Sequence, residues 1–298
     1  MKCIFIGGAD RSGTTMLASL LSKIERSVVT PESLFKSEVE STKPFCKEHY
    51  CQKLQKHPRF CTWGVDIELL KKQNITSYED FYRCLIEQYN SGSKFDYWID
   101  HSPNNMAYST NLDSLFSNCY FIHIVRDGRA VAFSQTPLEW GANTYLAASK
   151  AWLNNITYGF ITESLFPERT LLVKYEDLLL NSEKEIARIL KFLGTPETVS
   201  GKGNGRDFLP EFSKNQHKLV GKEPDQTRAN AWLKKMTPQD IADFQYYATR
   251  ALGLLGYEVI DTHHQKVTKT HIFLQYIKEI VRKKIINPRR YHKSRNKY

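Results

Sequence analysis

Residues 1–16 read MKCIFIGGADRSGTTM. KCIFIG, at 2–7, alternates into a short buried strand, and TTMLASLLSKI, at 14–24, has helical periodicity. Between them lies a glycine loop. Strand, glycine loop and helix in that order are the first half of a βαβ unit, and that decides the fold class. From Gly8 the loop runs G-A-D-R-S-G-T-T. It follows the phosphate-binding pattern G-x-x-x-x-G-K-[ST] at both glycines and at Thr15, but Thr14 stands where the lysine would be. A positive charge appears instead inside the loop, at Arg11. Such a loop offers an anion successive backbone N–H groups and the positive end of a helix dipole. The lysine that bridges the β- and γ-phosphates in nucleoside triphosphatases is missing, which argues against a kinase. The amides from Ser12 through Gly13 to Thr15, and the hydroxyls of Ser12, Thr14 and Thr15, suffice for one phosphate. Arg11 would sit at its outer edge, where a leaving group departs. A donor with a single 5′-phosphate carrying a transferable group fits better than ATP.

Working outward, VVT at 28–30 reads as a second short strand and YWI at 97–99 as another, running into the turn DHSPNN. Residues 36–64 are polar, rich in Cys and His, and read as irregular. Ser77 starts a helix, with Asp80 at the capping-box position. CYFIHIV, at 119–125, is a buried strand, and Asp127 can cap the helix that begins DGRAVAFS. A long helix is expected over 143–165, a strand over 170–175, and one helix from EDLLL to Gly194. Residues 197–215 read as a loop, and Pro238 opens a last domain helix. Alternating strands and helices predict an α/β fold: a P-loop-like parallel sheet with helices on both faces, a single domain over 1–260 followed by a basic amphipathic tail over 261–298.

The chain has 298 residues, 41% of them hydrophobic and 25% charged, ordinary values for a globular protein. The net charge of +10 and a pI near 9.2 point to anionic partners. No signal peptide and no apolar run of membrane-spanning length is visible. The expectation is therefore a cytoplasmic protein, with six reduced cysteines. The expected partners include no nucleic acid, since no aromatic-basic repeat resembles a nucleic-acid module.

RSGTT and a second stretch, IVRDGRAVAFS, together resemble the sulfotransferases that use 3′-phosphoadenosine 5′-phosphosulfate (PAPS). In that family RSGTT is the 5′-phosphosulfate loop, and residues in the places of Arg126 and Ser134 bind the 3′-phosphate. A guanidinium fork and a helix N-terminus suit that anion. Weaker matches follow in order. VKYEDLL, at 173–179, implies that Tyr175 approaches the 3′-phosphate. HKLVGKEPDQTRANAW, at 217–232, resembles a late donor-binding loop, with Lys222 and Arg228 as candidate contacts. The resemblance runs from residue 4 to about residue 258 and is closest to the Golgi-type and bacterial glycan or tyrosyl branch. It implies PAPS as co-substrate and no metal.

Sulfuryl transfer needs an in-line arrangement, stabilisation of the leaving oxygen and a base. Arg11 fits the second task. Glu32, in VVTPESLFK, resembles the Pro-Glu turn whose carboxylate is the base in tyrosyl and several glycan enzymes. His101, in IDHSP, stands where that branch commonly has Lys and the cytosolic enzymes a catalytic His. Glu32 is the preferred base, because an anionic donor would favour the imidazolium form of His101. The expected acceptor is a hydroxyl of a saccharide or glycolipid. The alternatives are a protein tyrosine or, outside the enzymes, a basic protein that binds nucleotide or nucleic acid without catalysis.

Two stretches fall outside this pattern. Cys46, His49, Cys51, His57 and Cys61 form a cluster of metal-ligand types at no standard zinc spacing. It reads as an insertion at the acceptor entrance, and no metal is assigned. In the tail, Ile272, Phe273, Tyr276, Ile277, Ile280, Val281 and Ile285 recur at helical spacing among lysines and arginines. That suits an anionic membrane surface, expected to be the inner face, or packing on protein. Oligomeric state is not legible.

Overall fold

The computed structural model describes residues 1–38, 44–138, 140–195, 208–209 and 229–286. Five strands, β1 (Lys2–Gly7), β2 (Ser27–Val29), β3 (Tyr97–Asp100), β4 (Cys119–Val125) and β5 (Thr170–Lys174), make one parallel sheet in the order β2-β3-β1-β4-β5. Successive side chains of a strand leave on opposite faces. Cys3, Phe5, Trp98, Cys119 and Phe121 therefore enter one core, and Ile4, Ile6, Ile99, Ile122 and Ile124 the other. Both faces are apolar because helices cover both. On the isoleucine side these are α1 (Thr14–Leu21), α8 (Tyr175–Leu180) and α9 (Ser182–Leu193). On the other side α4 (Tyr78–Tyr89) sends Tyr82 onto Trp98, ring centroids 5.4 Å apart, while Phe5 meets Trp98 edge-on at 5.5 Å. The helices α6 (Gly128–Gln135), α7 (Tyr145–Leu165) and α10 (Pro238–Leu254) share a third apolar cluster around Trp152 and Phe244.

The structure departs from the sequence reading in three places. Residues 36–64, expected to be irregular, contain α2 (Lys47–Gln55) and a 3-10 turn, Phe60–Trp63. Tyr50, Cys51 and Leu54 share one face of α2 and enter the aromatic core, a short stripe hidden among charges. The short helices α3 (Ile67–Lys72) and α5 (Ser109–Leu115) complete that side. The single helix expected up to Gly194 is the pair α8 and α9. Asn181 leaves helical backbone between them, at φ −138°, and its carbonyl accepts from Glu185 N in the first turn of α9. That carbonyl bond is the first of α9, so Asn181 serves as its N-cap. At α4, Ser77 Oγ accepts from Asp80 N as expected, but Asp80 Oδ2 takes the Ser77 hydroxyl rather than completing a reciprocal box. The reciprocal box is instead made at α10, between Thr237 and Asp240. No helix among the described residues is long and apolar enough to cross a membrane.

Candidate active site

All five strands of a parallel sheet end on one edge, and the site is built there, on the segments that follow them. After β1 comes the glycine loop. Gly8 lies so close to β4 that a Cβ would meet Ile124 O at 2.2 Å. Gly13, the N-cap of α1, has φ 104°, and a Cβ there would stand 2.5 Å from the Tyr175 ring. Glycine is needed at both places. No side chain caps α1, so the N–H groups of its first turn stay available to a ligand. Ser12 is buried and folds the loop onto Ala9 O through both its amide (3.0 Å) and its hydroxyl (2.6 Å). Thr14 and Thr15 are buried behind it. Arg11 holds a left-handed backbone, φ 74°, uncommon for a residue with a side chain.

After β4, Asp127 caps α6 by accepting from Arg129 N. Here the two phosphate signatures meet. Arg11 Nε donates to Ser134 Oγ at 3.2 Å, and Arg126 Nη1 donates to Arg11 O at 3.0 Å. The Arg126 guanidinium lies 4.4 Å from the centre of the Tyr175 ring. Tyr175, just after β5, thus touches both the loop glycine and Arg126. The Asp127 carboxylate would repel an anion at this helix start. Buried Arg129 offsets it with two bonds, 2.8 and 3.0 Å, and is itself held by Gln245 Oε1 and the Trp232 ring. Glu176 accepts from Asp127 N and from Tyr257 OH, and burial raises its carboxyl pKa.

The edges after β2 and β3 carry Glu32 and His101. Asp100, at the end of β3, and Lys36 are both wholly buried, and Lys36 Nζ lies 2.7 Å from Asp100 Oδ1. Asp100 also accepts from Ser33 N, Ser33 Oγ, Ser102 N and Asn105 Nδ2. Asn105 donates in addition to Ile6 O of β1. The neighbours of Glu32 and of His101 are thereby locked to one carboxylate. Burial pushes that carboxyl up, but the Lys36 charge and the hydrogen bonds outweigh it and hold it well below the usual range. Burial pulls Lys36 down against the lift from Asp100. Glu32 itself is a quarter exposed and makes an ion pair with Arg59 at 2.5 Å. His101 is 2% exposed, its ring edge-on to Phe208 at 5.3 Å, and neither ring nitrogen has a hydrogen-bond partner among the described residues. Burial lowers its pKa, against the opposing pull of Glu32 and Asp100. The lowered pKa favours the neutral imidazole, whereas a bound anionic donor would pull the other way.

A family model described as "Sulfotransferase family" matches residues 3–199. The chain belongs to the sulfotransferase family. Among its curated relatives is Protein-tyrosine sulfotransferase 1 of Danio rerio, 26% identical over 87% of this chain and 73% of the relative. Protein-tyrosine sulfotransferase 2 of Gallus gallus is 25% identical, over 87% and 70%. Among solved structures, the sulfotransferase domain of the Synechococcus PCC 7002 olefin synthase superposes with a TM-score of 0.63 at 22% identity, covering 87% of this chain and 95% of that one. The domain from the curacin biosynthetic pathway gives 0.56 at 19%, covering 87% and 99%. The fold is shared with both, a single α/β domain with helices on both faces of the parallel sheet, and the enzyme is a transferase of sulfuryl groups. The non-catalytic alternative falls with that.

The expected cytoplasmic location is overturned. The curated relatives are protein-tyrosine sulfotransferases, enzymes of the Golgi-type branch and not cytoplasmic ones. The argument from compartment to reduced cysteines goes with it. Within the insertion, Cys51 is buried in the core while Cys46 and Cys61 are exposed. His57 turns its ring edge to Phe35 at 5.2 Å. Among the described residues no three His, Cys, Asp or Glu are grouped to hold a metal ion. What the insertion supplies to the site is Arg59. Lys222 and Arg228 lie outside the described residues. The sequence reading missed Lys36, Asp100, Arg59 and Arg129. Asp100 and Lys36 are 64 positions apart, and nothing in either stretch marks them as partners.

Proposed function

We propose that the enzyme moves the sulfuryl group of PAPS to a hydroxyl. The single observation that carries the donor is the junction of the two signature segments through Arg11, Ser134 and Arg126. It sets two helix N-termini and two guanidiniums beside each other at one sheet edge. That suits a nucleotide with a phosphate at each end of its ribose. Ser12, Gly13, Thr14 and Thr15 would hold the 5′-phosphosulfate. Arg126, Ser134 and Tyr175 would hold the 3′-phosphate, joined by Lys222 and Arg228 from the later segment. Arg11 stabilises the bridging oxygen. As the acceptor oxygen bonds to sulfur, the sulfur–oxygen bond to the phosphate breaks. Its electron pair stays on the bridging oxygen, and the acceptor proton goes to Glu32. No metal enters.

His101 is the second reading for the base, favoured by its lowered pKa and by two ring nitrogens without partners among the described residues. With Glu32 as base, His101 hydrogen-bonds the sulfuryl oxygens. The proposed acceptor is a tyrosyl hydroxyl of a protein, since the relatives that span 87% of this chain carry that activity in their names. The saccharide expected from the sequence is the competing outcome.

Transfer of labelled sulfate from PAPS, run with EDTA present against tyrosine peptides, glycans and glycolipids, tests the acceptor. Equal thermal stabilisation by adenine nucleotides with and without a 3′-phosphate would sink the donor reading.

A further inference from the structure

The charge of this protein is not spread over its surface. From Lys266 to the C-terminus there are eleven Lys and Arg and one acid, Glu279, so this segment alone carries a net +10. Residues 1–265 hold 31 basic and 31 acidic side chains and are neutral overall. The basic pI thus belongs to the tail and says nothing about the donor site.

The tail begins with α11 (Lys269–Val281), capped by Thr268 and continued by a π-helical turn, Arg282–Ile286. A helix on a globular domain normally turns its apolar stripe inward. This one is inverted. At 100° per residue, His271, Gln275, Glu279 and Arg282 lie on one face, and that face meets the domain. His271 Nε2 stands 2.9 Å from both carboxylate oxygens of buried Asp243 in α10. Glu279, the one buried residue of α11, accepts from Asn143 N at 2.8 Å. The opposite face carries Phe273, Leu274, Tyr276, Ile277 and Val281, all exposed, Phe273 and Tyr276 at 61% each. Ile285 follows, 72% exposed. Exposed Lys269 and Lys278 flank this stripe, and exposed Lys284 follows it. The polar contacts fix the helix to the enzyme with its apolar side outward.

The geometry points to a membrane-surface dock: α11 lies flat on an anionic lipid surface, with its apolar stripe among the acyl chains and its lysines at the headgroups. Thirteen residues are too few to span a bilayer but enough to lie in its interface. Charge complementarity selects the occupant. An isologous contact with a second copy would bring the lysines around the stripe against those of the mate, with no outward acid on α11 to offset them. Anionic headgroups neutralise all of them, and every further basic residue to the C-terminus adds to the attraction. The dock is independent of the donor reading. It would hold the active site near acceptors that are themselves at the membrane.

The test is co-sedimentation of the full chain with vesicles of phosphatidylcholine alone and of phosphatidylcholine mixed with phosphatidylserine. Binding to the mixed vesicles is expected, weakened by salt, with much less to the neutral ones. Phe273→Glu with Ile277→Glu should lower it by about tenfold or more. The melting temperature and the binding of the 3′-phosphorylated nucleotide product should not change, because both side chains are exposed. Lys278→Gln with Lys284→Gln should lower binding to the mixed vesicles only. The milder Phe273→Ser is read beside them. Equal binding of the apolar-face variants and the parent would overturn the proposal. So would a lowered melting temperature in Phe273→Ser, which would make the face part of a packed core. So would a dimer, seen by light scattering without lipid, that Phe273→Glu splits, which would make the occupant a second copy.

Discussion

The two halves of the site are built by different means. On the donor side, after β1, β4 and β5, the working groups are mostly backbone: N–H groups at two helix starts, the first left without a side-chain cap by Gly13 and the second capped by Asp127, flanked by Arg11 and Arg126. On the acceptor side, after β2 and β3, the working groups are side chains. Their placement depends on a charge pair buried at 0% exposure that ties Ser33 to Asp100. Backbone donors are positioned by the local turn. Side chains need neighbours that lock them. The donor half should therefore tolerate substitution away from its motifs, while the acceptor half should fail through residues that never touch a substrate.

The largest expected effect sets the acceptor half against itself. Glu32→Gln should lower kcat by roughly 10²- to 10⁴-fold with donor affinity little changed, the usual range for a lost general base. If Glu32→Gln stays active while His101→Ala and His101→Lys are both dead, the two roles are reversed. With Glu32 as base, His101→Lys should retain more activity than His101→Ala, because a hydrogen-bond donor returns beside the sulfuryl oxygens.

Next, Lys36→Met leaves Asp100 ionised and buried with no counter-ion. A loss of about 3–5 kcal/mol in urea unfolding is expected, and Lys36→Met with Asp100→Asn should recover most of it. No recovery would mean that the pair is not what holds this half together.

On the donor side, Arg126→Ala removes charge-assisted bonds worth roughly 1.5–3 kcal/mol. Binding of the 3′-phosphorylated product, by calorimetry, should weaken by about 10- to 100-fold. Binding of the nucleotide lacking the 3′-phosphate should be nearly unchanged.

The smallest effect is in pH. Burial holds the folded-state pKa of His101 below its usual 6.5. Below that pH the unfolded chain takes up a proton that the folded one resists, so stability falls as pH falls. The slope is at most about 1.4 kcal/mol per pH unit, until the folded imidazole titrates. His101→Asn should remove that slope, and an unchanged slope would show that His101 is not kept neutral by the fold.

The legibility of the sequence follows the same division. GGADRSGTT, from Gly7, and VRDGRAVAFS, from Val125, each hold strand end, turn and helix start in one short stretch. Short-range geometry could therefore be read directly, including the Asp127 cap. Tyr175 was found through the resemblance carried by VKYEDLL; the strand expected over 170–175 ends at Lys174, and Tyr175 opens α8. Lys36, Asp100 and Arg59 were not found, because each looks like a solvated charge until its partner is known. The insertion around Cys51 hid a helix because its apolar stripe is only three residues wide.

By itself the sequence determined the periodicities, hence the strands and helices, the α/β class and the anion-binding turns, because these depend on neighbours a few positions apart. Tertiary structure alone decided the strand order β2-β3-β1-β4-β5, which sets Glu32, His101, the glycine loop, Arg126 and Tyr175 in one row. It also decided that burial lowers the pKa of His101 and that the apolar stripe of α11 faces outward. Those outcomes depend on which segments, distant in the chain, exclude water from one another, and desolvation is a property of the packed whole.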